Sequence, residues 1–523
     1  MKKIGKAAVL SAIVFMAFLG CQRGAPAARG QNQDMENFNP TGLPIVNKME
    51  TFTLLVDSED DPVTTMVPVF EEQTNVRVDA TVYPGRIALE RKNILLASGD
   101  YPDVIAGWLL SQAEVIRLKD EETIIGLSEM IDKYTVNIKE ALGLPGVREA
   151  MTHPDGEIYT IPYINPAPLV SFNPWINVEW LQRLGLPMPT TTGEFKNTLA
   201  AFRDRIPPVN GQSIIPFTAR PGWAMGTLAG WFGVDATGFF EMVNGQLEIS
   251  VTKPQFQEFI KYFADLYANR LIDQELFSQD ISTWVAKGRQ GLYGVSFNYY
   301  PADFAPQVRE DVTVNQYDYE ALPVLRGPGV EKPVFRRASE GFQIFRTQAV
   351  ITDKATNPLT IIRWFDNLYE EANSLSYIWG PLGIRFEKLE DGTFRETANG
   401  RSPQAIEAAG QPFWTPMPRF IRPGRRAIAP PEGEKPEYRP TEVRDALYEP
   451  YLNELTPVAW PDLDLSQQMN QINQALTYYH NQKIAEWVTG QANIDSEWDA
   501  YIANLERLRI NELLDLNRGL IGQ

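Results

Sequence analysis

The feature that most constrains the fold is an alternation of short strand-like and helix-like runs near the start of the chain. Three runs have the period-two or short apolar pattern of β-strands, and the two runs between them have helical spacing. In chain order the runs are TFTLLVDSEDD (51–61), DPVTTMVPVFEEQTN (61–75), VRVDATVYP (76–84), GRIALERKNILLASG (85–99) and YPDVIAGW (101–108). Strand, helix, strand, helix and strand at this density predict an α/β unit with a mostly parallel sheet.

A second α/β region is predicted further along the chain. Residues 180–206 hold two helices, the second introduced by threonine caps before Glu194, and a long amphipathic helix is predicted over 253–277. A strand over 291–300 follows a helix that contains Trp284. A chain of about 500 residues exceeds one ordinary core, so we expect two or three domains.

The C-terminal tail is predicted to be helical. The run 465–490 repeats apolar residues on one face and ends at Gly490. The pattern Ser496-x-x-Asp499 then resembles a capping box at the start of another helix. The Pro-rich stretch 416–440 is interpreted as an extended wrap over the surface.

The N-terminus carries a leader-like segment. A short apolar run, Ala7–Leu19, is too short for a permanent membrane span, which needs about 20 residues, and it fits a signal peptide. The basic residues before it are Lys2, Lys3 and Lys6. Residues 1–20 are therefore predicted to be a signal peptide, and the bulk of the chain is expected outside the cytoplasm.

Cys21, the only cysteine, directly follows this leader. It has no partner for a disulfide, and a metal site needs several ligands. With Gly20 before it, the stretch resembles the lipobox of bacterial lipoproteins, although Phe18 stands where leucine is usual. The resemblance implies cleavage before Cys21 and a diacylglycerol on its thiol, with room for a further acyl chain; two chains anchor a protein firmly. Residues 21–48 are then interpreted as a flexible tether.

The charge of the chain excludes some partners. Without the leader, 45 basic residues face 66 acidic ones, a formal charge of about -21. Such a chain is a poor nucleic-acid binder, because neutralising the phosphate backbone demands clustered Lys and Arg. The charge instead favours a soluble monomer beside an anionic surface.

The sequence contains none of the common catalytic motifs. It lacks H-E-x-x-H, G-x-S-x-G, Walker and G-x-G-x-x-G patterns. His153 and His480 lie far apart, and the polar neighbours of His480 predict a surface residue. Carboxylates are too numerous for a glycosidase pair to be recognised by counting. We expect no catalysis, no cofactor and no metal.

Aromatic residues in loop-like contexts are the clearest binding signal. Four such runs are ARPGW (219–223), FNYY (297–300), YIWGPLG (377–383) and QPFWTPMP (411–418). The C–H face of a pyranose packs on an aromatic ring, while amides, arginines and acids bond the hydroxyls. Plain packing is the alternative. We favour packing for the four tryptophans within helical patterns, Trp180, Trp364, Trp487 and Trp498.

Several motifs, in order, resemble one family. They are ASGDYPDVI (97–105), DGEIYTIPY (155–163), WLQRLGLPMPTTTGEF (180–195), LPVLRGPG (322–329), EGFQIF (340–345), NPLTIIRWFDNLY (357–369), WGPLGIRFE (379–387) and GQANIDSEWDAYIANLERL (490–508). Together they resemble the extracellular solute-binding lipoproteins of bacterial carbohydrate ABC transporters, in the branch that includes oligosaccharide and alginate binders.

The resemblance implies a fold and a function. It implies two α/β lobes of the periplasmic-binding-protein type II fold, joined by a multi-strand hinge with the ligand in the cleft. Each lobe is discontinuous: lobe I takes 49–165 and 340–405, and lobe II takes 166–339 and 406–523 with a helical C-terminal extension. The implied function is to capture a carbohydrate, expected to be an oligosaccharide, and to deliver it to the permease subunits.

The residues assigned to the ligand are those at expected strand ends and chain crossings, where open α/β sheets bind ligands. They are Trp108, Tyr163, Asn165, Arg220, Trp223, Tyr299, Tyr300, Glu340, Trp379 and Trp414. Many members of the family also carry an acidic D-P-D-G-N-G-x-x-D calcium loop. The matching stretch here is RIPPVNGQSIIPF (205–217), which lacks those acids, so we predict that this calcium site is absent.

Other functions remain open at this point. A surface polysaccharide hydrolase or lyase would consume its sugar and place two carboxylates across a cleft. A scaffold or adhesin would have no cleft between lobes. A receptor for a non-sugar solute such as a peptide would share the fold and differ only in its ligand.

Overall fold

A computed structural model of the 523-residue chain describes residues 34–57, 63–222, 225–306, 318–339, 342–398, 417–422 and 440–523. Within these ranges a five-stranded and a four-stranded sheet each carry helices and a separate hydrophobic core. We call the unit built on the five-stranded sheet lobe I and the unit built on the four-stranded sheet lobe II. The predicted α/β class with two lobes is confirmed.

The elements have the following bounds in chain order. The strands are β1 Glu50–Asp57, β2 Val76–Tyr83, β3 Val104–Ala106, β4 Ile161–Pro166, β5 Asn173–Asn177, β6 Ile215–Ala219, β7 Phe240–Val243, β8 Gln246–Ile249, β9 Tyr293–Asn298, β10 Tyr319–Ala321, β11 Phe342–Ile351, β12 Phe386–Lys388 and β13 Phe394–Glu396. The helices are α1 Val63–Thr74, α2 Gly85–Ser98, α3 Gln112–Asp120, α4 Ser128–Tyr134, α5 Asn137–Leu142, α6 Val147–Met151, α7 Val178–Leu184, α8 Thr192–Arg205, α9 Pro254–Ala268, α10 Ile281–Arg289, α11 Pro358–Leu368, α12 Glu371–Trp379, α13 Pro440–Tyr448, α14 Leu463–Val488, α15 Ile494–Arg507 and α16 Ile510–Leu520.

The sheet of lobe I has the strand order β2-β1-β3-β11-β4. β1 pairs in parallel with both β2 and β3, as the alternation of the first runs predicts, whereas β11 and β4 are antiparallel to their neighbours. Successive residues of β1 point to opposite faces. Leu54 therefore joins the core that contains Trp364, and Leu55 joins the core on the other face with Ile105.

The sheet of lobe II has the strand order β10-β5-β9-β6. Every residue of β9 is buried, with β5 antiparallel on one side and β6 parallel on the other. Thr191 and Glu194 form the predicted capping box at the start of α8. The helix predicted over 253–277 ends earlier, at Ala268, because Arg270 takes a positive φ of 56° and turns the chain back toward β6.

Neighbouring strands carry the chain between the lobes. The antiparallel pairing of β4 with β11 continues past the sheet, where the N–H of Ala338 donates to the carbonyl of Leu169 at 2.8 Å. Residues 417–422 add a third strand-like segment beside β4, with Ile164 bonded to Arg419 and Ile421 at 2.9 and 3.0 Å. Phe420 is buried in the lobe I core.

The long helix α14 contacts both lobes. Just before it, Trp460 packs into lobe I with Leu55 and Ile105, and further along α14 Leu476 and Trp487 lie in the lobe II core. The indole N–H of Trp460 donates to the carbonyl of Ala150 at 2.8 Å. The indole ring also stacks on His153, with ring centroids 4.0 Å apart, and lies 4.4 Å from the guanidinium carbon of Arg346.

Two local predictions are wrong. The tether predicted over 21–48 does not extend through residues 34–48, because Phe38, Ile45 and Val46 are buried in the lobe I core and Phe38 bridges to Val46. The helix α15 is capped by Asn493 rather than by Ser496, since the Asn493 side chain accepts hydrogen bonds from the N–H groups of Asp495 and Ser496.

Other predictions about the packing agree with the structure. Trp180, Trp364 and Trp487 are buried, and Trp498 packs against Trp487 and Tyr501. Most of the Pro-rich stretch 416–440 lies outside the described residues. In the ranges that the structure covers, no helix combines the length and the apolar character that a membrane span requires.

Candidate functional site

The loop after β3 presents a tryptophan at the carboxyl edge of the lobe I sheet. Three hydrogen bonds fix the backbone of this loop. The N–H of Gly107 donates to the carbonyl of Gln348 at 2.7 Å, the N–H of Trp108 to Oδ1 of Asp57 at 2.8 Å, and Nζ of Lys92 to the carbonyl of Leu109 at 2.7 Å. Trp108 nevertheless remains 49% exposed. A rigid loop thus holds a large apolar ring in solvent.

The contact between Gly107 and Asp57 explains why the loop needs a glycine. Gly107 has a φ of +99°, and a Cβ built on it would lie 1.9 Å from Oδ1 of Asp57. Burial raises the pKa of the Asp57 carboxyl, and the hydrogen bond from Trp108 opposes that rise. The last residue of β1 and the first loop residues after β3 therefore fit together closely.

An aromatic cluster extends from Trp108 toward the strands that cross between the lobes. Phe345 on β11 lies 5.0 Å from Trp108 and 5.2 Å from Tyr163 on β4, measured between ring centroids. The guanidinium carbon of Arg419 lies 4.0 Å from the centroid of the Tyr163 ring. Tyr163 is buried by these contacts, while Asn165 is partly buried and pairs across the sheet with Gln343.

A second aromatic group lies at the end of β9 in lobe II. The rings of Tyr299 and Tyr300 stack with centroids 6.3 Å apart, and Phe172 packs 5.5 Å from Tyr299. Tyr299 is 37% exposed. Arg220 follows β6, and its N–H donates to the carbonyl of Phe297 at 3.1 Å. Burial raises the pKa of Tyr299, and the positive charge of Arg220 opposes that rise.

Arg444 on α13 underlies this second group. Its guanidinium is fully buried and bonds Asp445 at 3.2 Å and Oδ1 of Asn173 at 3.4 Å. Asn298, across from Asn173 in the sheet, donates to the carbonyl of Tyr300 at 2.9 Å. Burial lowers the pKa of Arg444, with the nearby charge of Asp445 opposing. This buried charge ties α13 to the edge of the sheet that carries the tyrosines.

The structure thus sorts the assigned residues into two groups. Trp108 and Tyr163 belong to one cluster in lobe I, and Arg220, Tyr299 and Tyr300 to another in lobe II. Trp223, Glu340, Trp414 and Cys21 lie outside the described residues, as does the side chain of Trp379, the last residue of α12. Phe345 and Arg419 were not predicted, although the alternation FQIF places Phe345 on the same strand face as Gln343.

The prediction of a surface position for His480 is wrong. His480 is only 8% exposed, and its Nδ1 lies 2.7 Å from the hydroxyl of Tyr501. It faces α9, where its ring stacks on Phe256 with centroids 5.6 Å apart. Burial lowers its pKa to about 4. His153 is also buried, and burial likewise lowers its pKa to about 4.

No metal centre is evident in the described part of the chain. There, no group of three or more His, Cys, Asp or Glu residues is placed to hold a metal ion. The stretch aligned with the family's calcium loop is a tight turn: Val209 and Gln212 pair across it, and Asn210 and Gly211 have φ values of 51° and 78°.

Comparison with known proteins gives a carbohydrate-binding relative and a lipoprotein. The fructooligosaccharide ABC transporter substrate-binding protein FusA of Streptococcus pneumoniae is 28% identical over 482 residues, which cover 87% of this chain and 86% of FusA. Lipoprotein LipO of Bacillus subtilis is 23% identical over 335 residues, 62% of this chain and 64% of LipO. No family model matches the chain.

Solved structures agree with the sequence comparison. FusA in complex with kestose superposes with a TM-score of 0.75 at 26% identity, covering 91% of this chain and 99% of FusA. The alginate-binding protein AlgQ2 without calcium ion has a TM-score of 0.68 at 19% identity, covering 92% of this chain and all of AlgQ2, so it supports the fold alone. The resemblance inferred from the sequence motifs is therefore confirmed.

Proposed function

We propose, from the relationship of this chain to the carbohydrate solute-binding proteins of ABC transporters, that it captures an oligosaccharide between its lobes and delivers it to an importer permease. The relatives are binding proteins rather than enzymes. We accordingly assign it no catalytic step, no cofactor and no nucleic-acid partner, and we expect a monomer.

The observation that carries this proposal is the exposed, rigidly held indole of Trp108. Burial of an apolar ring normally stabilises a protein, yet Trp108 is half exposed on a loop that three hydrogen bonds hold in place. A ligand that covers the ring would bury its apolar surface. The C–H face of a sugar ring is such a partner. Tyr299 offers a similar exposed ring at the edge of the lobe II sheet.

The cleft would close by rotation of the lobes about the crossing strands. We assign 49–165 and 340–405 to lobe I and 166–339 and 406–523 to lobe II, with residues 417–422 moved to lobe I because Phe420 lies in its core. Hinge closure brings the rings of both lobes onto one ligand. The closed form is the one that the permease subunits would bind.

Ligand binding by the purified protein tests the proposal. We would measure thermal unfolding and tryptophan fluorescence against a panel of oligosaccharides that includes kestose and nystose, with a peptide mixture as the alternative solute. A melting temperature that rises with sugar concentration, as binding linkage requires, supports the proposal when the sugar is recovered unchanged. Consumption of the sugar would indicate the hydrolase or lyase instead. A response to peptides alone would support a solute receptor whose ligand is a peptide instead of a sugar.

Anchoring through Cys21 is a separate part of the proposal. The basic and apolar leader before Cys21 supports it, as does the similarity to a relative named a lipoprotein. In cells fed an alkyne-tagged palmitate, we expect label on the protein and its recovery with membranes. Cys21→Ser should abolish both. Label retained by Cys21→Ser would exclude this attachment site.

A further inference from the structure

Lobe II contains a cavity of about 480 Å³ beside the second aromatic group. It lies between the end of β6, α9 and α14. Phe239, Phe259 and Phe263 form part of its apolar wall, and Asn481 of α14 contributes a polar group. Its volume falls within the range of about 300–1,000 Å³ that small-molecule sites occupy.

The cavity adjoins the lobe II tyrosines. Arg220, which lines it, directly follows β6, and its charge acts on the hydroxyl of Tyr299. Both residues lie at the carboxyl ends of the parallel neighbours β6 and β9, the edge at which open α/β sheets bind ligands. A chain-like ligand resting on Tyr299 could therefore continue past Arg220 into lobe II.

His480 gives the cavity a specific polar group. Nδ1 is engaged with the hydroxyl of Tyr501, whereas no residue that the structure describes hydrogen-bonds to Nε2. Phe239 and Phe256 flank the ring, with centroids 5.3 and 5.6 Å away, and fix its orientation. Nε2 keeps solvent-accessible surface where His480 lines the cavity, so a hydroxyl of a ligand in the cavity can take the place of water at this atom.

We propose that this cavity is a carbohydrate subsite that receives the terminal sugar residue of the bound oligosaccharide, with Nε2 of His480 bonded to one of its hydroxyls. Aromatic rings for the C–H face, with an imidazole, an amide and a guanidinium for the hydroxyls, are the groups that a sugar needs. This inference rests on the proposed function and adds a length preference. A disaccharide that reaches only the rings in the cleft leaves the cavity empty, while longer chains fill it.

Filling the cavity from its solvent side tests the subsite without altering the core. Asn481→Trp places a ring at the wall of the cavity, and Gln474→Trp places the same ring on an exposed part of α14 that does not line it. We would titrate both variants and the unaltered protein with fructo-, malto-, xylo- and manno-oligosaccharides from disaccharide to pentasaccharide. For Asn481→Trp we expect at least a tenfold loss of affinity for the longer chains, about 1.4 kcal/mol, and an unchanged affinity for the disaccharide. Gln474→Trp should match the unaltered protein at every length.

The titrations test the proposed function and the subsite separately. If no sugar binds the unaltered protein, the proposed function and the subsite fall together. If sugars bind and Asn481→Trp keeps the full preference for longer chains, the subsite alone is overturned.

Replacement of His480 provides the second test. His480→Phe keeps a ring between the neighbouring side chains and removes Nε2. It should therefore weaken the binding of the longer oligosaccharides and leave the affinity for the disaccharide unchanged. His153→Phe changes the other buried histidine, which lies in lobe I, and should leave sugar binding unchanged. Equal weakening of short and long chains by His480→Phe would indicate general damage to lobe II and would contradict the assigned contact.

Discussion

Oδ1 of Asp57 accepts a hydrogen bond of 2.8 Å from the backbone N–H of Trp108. Asp57, the last residue of β1, therefore holds the loop that follows the neighbouring strand β3. The same oxygen leaves room for no side chain at Gly107. The exposed indole therefore depends on two small, buried details of the sheet edge. Both details can be changed individually.

Gly107→Ala should destabilise the protein and weaken sugar binding. The new methyl group would meet Oδ1 of Asp57, and alanine at a φ of +99° adds backbone strain. We expect a loss of about 1–3 kcal/mol in the free energy of unfolding, measured by urea denaturation. Gly99→Ala is the matched control, because Gly99 also has a positive φ but nothing lies within 4 Å of its Cβ position. Equal losses in the two variants would mean that the contact with Asp57 does not matter.

Trp108→Ala should weaken binding much more than stability. The indole is half exposed, so its removal takes little from the core, while a sugar would lose its packing surface. We expect a loss in affinity of about tenfold or more, which is about 1.4 kcal/mol, by calorimetric titration. Tyr478→Ala removes an aromatic ring that is 77% exposed on α14 and serves as the control. Unchanged affinity in Trp108→Ala would remove Trp108 from the site.

Trp460→Ala should unfold lobe I more easily. The indole is buried and contacts Ala150, His153 and Arg346, so truncation removes a hydrogen bond and two ring contacts. We expect a loss of about 3–5 kcal/mol in unfolding free energy, and a smaller loss for Trp460→Phe, which keeps a ring in place. A cost below that of Trp108→Ala would contradict the packing described.

The two histidines should make the protein less stable in mild acid. In the folded protein each histidine has a pKa of about 4, against an ordinary value of 6.5. As the pH falls below 6.5, both histidines therefore become protonated in the unfolded chain while they stay neutral in the folded protein. Stability is thus complete above that value and falls until about pH 4, by about 2 kcal/mol per histidine between pH 7 and pH 5. The buried carboxyls Asp57 and Asp366, whose pKa values are raised by burial, act in the opposite direction as the pH falls.

Urea denaturation at pH 7 and pH 5 measures this effect. The double variant His153→Phe/His480→Phe should show a much smaller difference between the two pH values than the unaltered protein. Replacement of His153 itself should cost little at neutral pH, because neither of its ring nitrogens has a hydrogen-bond partner among the described residues. An unchanged difference in the double variant would show that the two histidines do not cause the acid sensitivity.

Much of the fold could be predicted because its signals are local. Period-two alternation in β1 and β2, and the capping box of Thr191 and Glu194, are properties of a few adjacent residues. Trp108 could be identified as a loop residue after a buried strand for the same reason. Such signals do not depend on what packs against the element.

The wrong or missing predictions concern residues whose surroundings in the fold come from segments that are distant in sequence. His480 has polar neighbours in sequence, yet it lies four residues after Leu476 and eight after Ile472, on the stripe that faces the core of lobe II. That spacing was the signal for burial. Phe38 in the predicted tether and Arg419 over the Tyr163 ring acquire their roles only from segments far away in sequence, which no local pattern reveals.

The 26 residues of α14 make a rod about 39 Å long, seated against lobe I near Trp460 and against lobe II near Trp487. This helix therefore links the two lobes through contacts near both of its ends. In the proposed hinge motion, a wide opening of the lobes would have to bend this helix or separate Trp460, just before it, from its contacts in lobe I. We therefore expect the contacts of Trp460 to limit how far the lobes open and to slow the release of a captured solute.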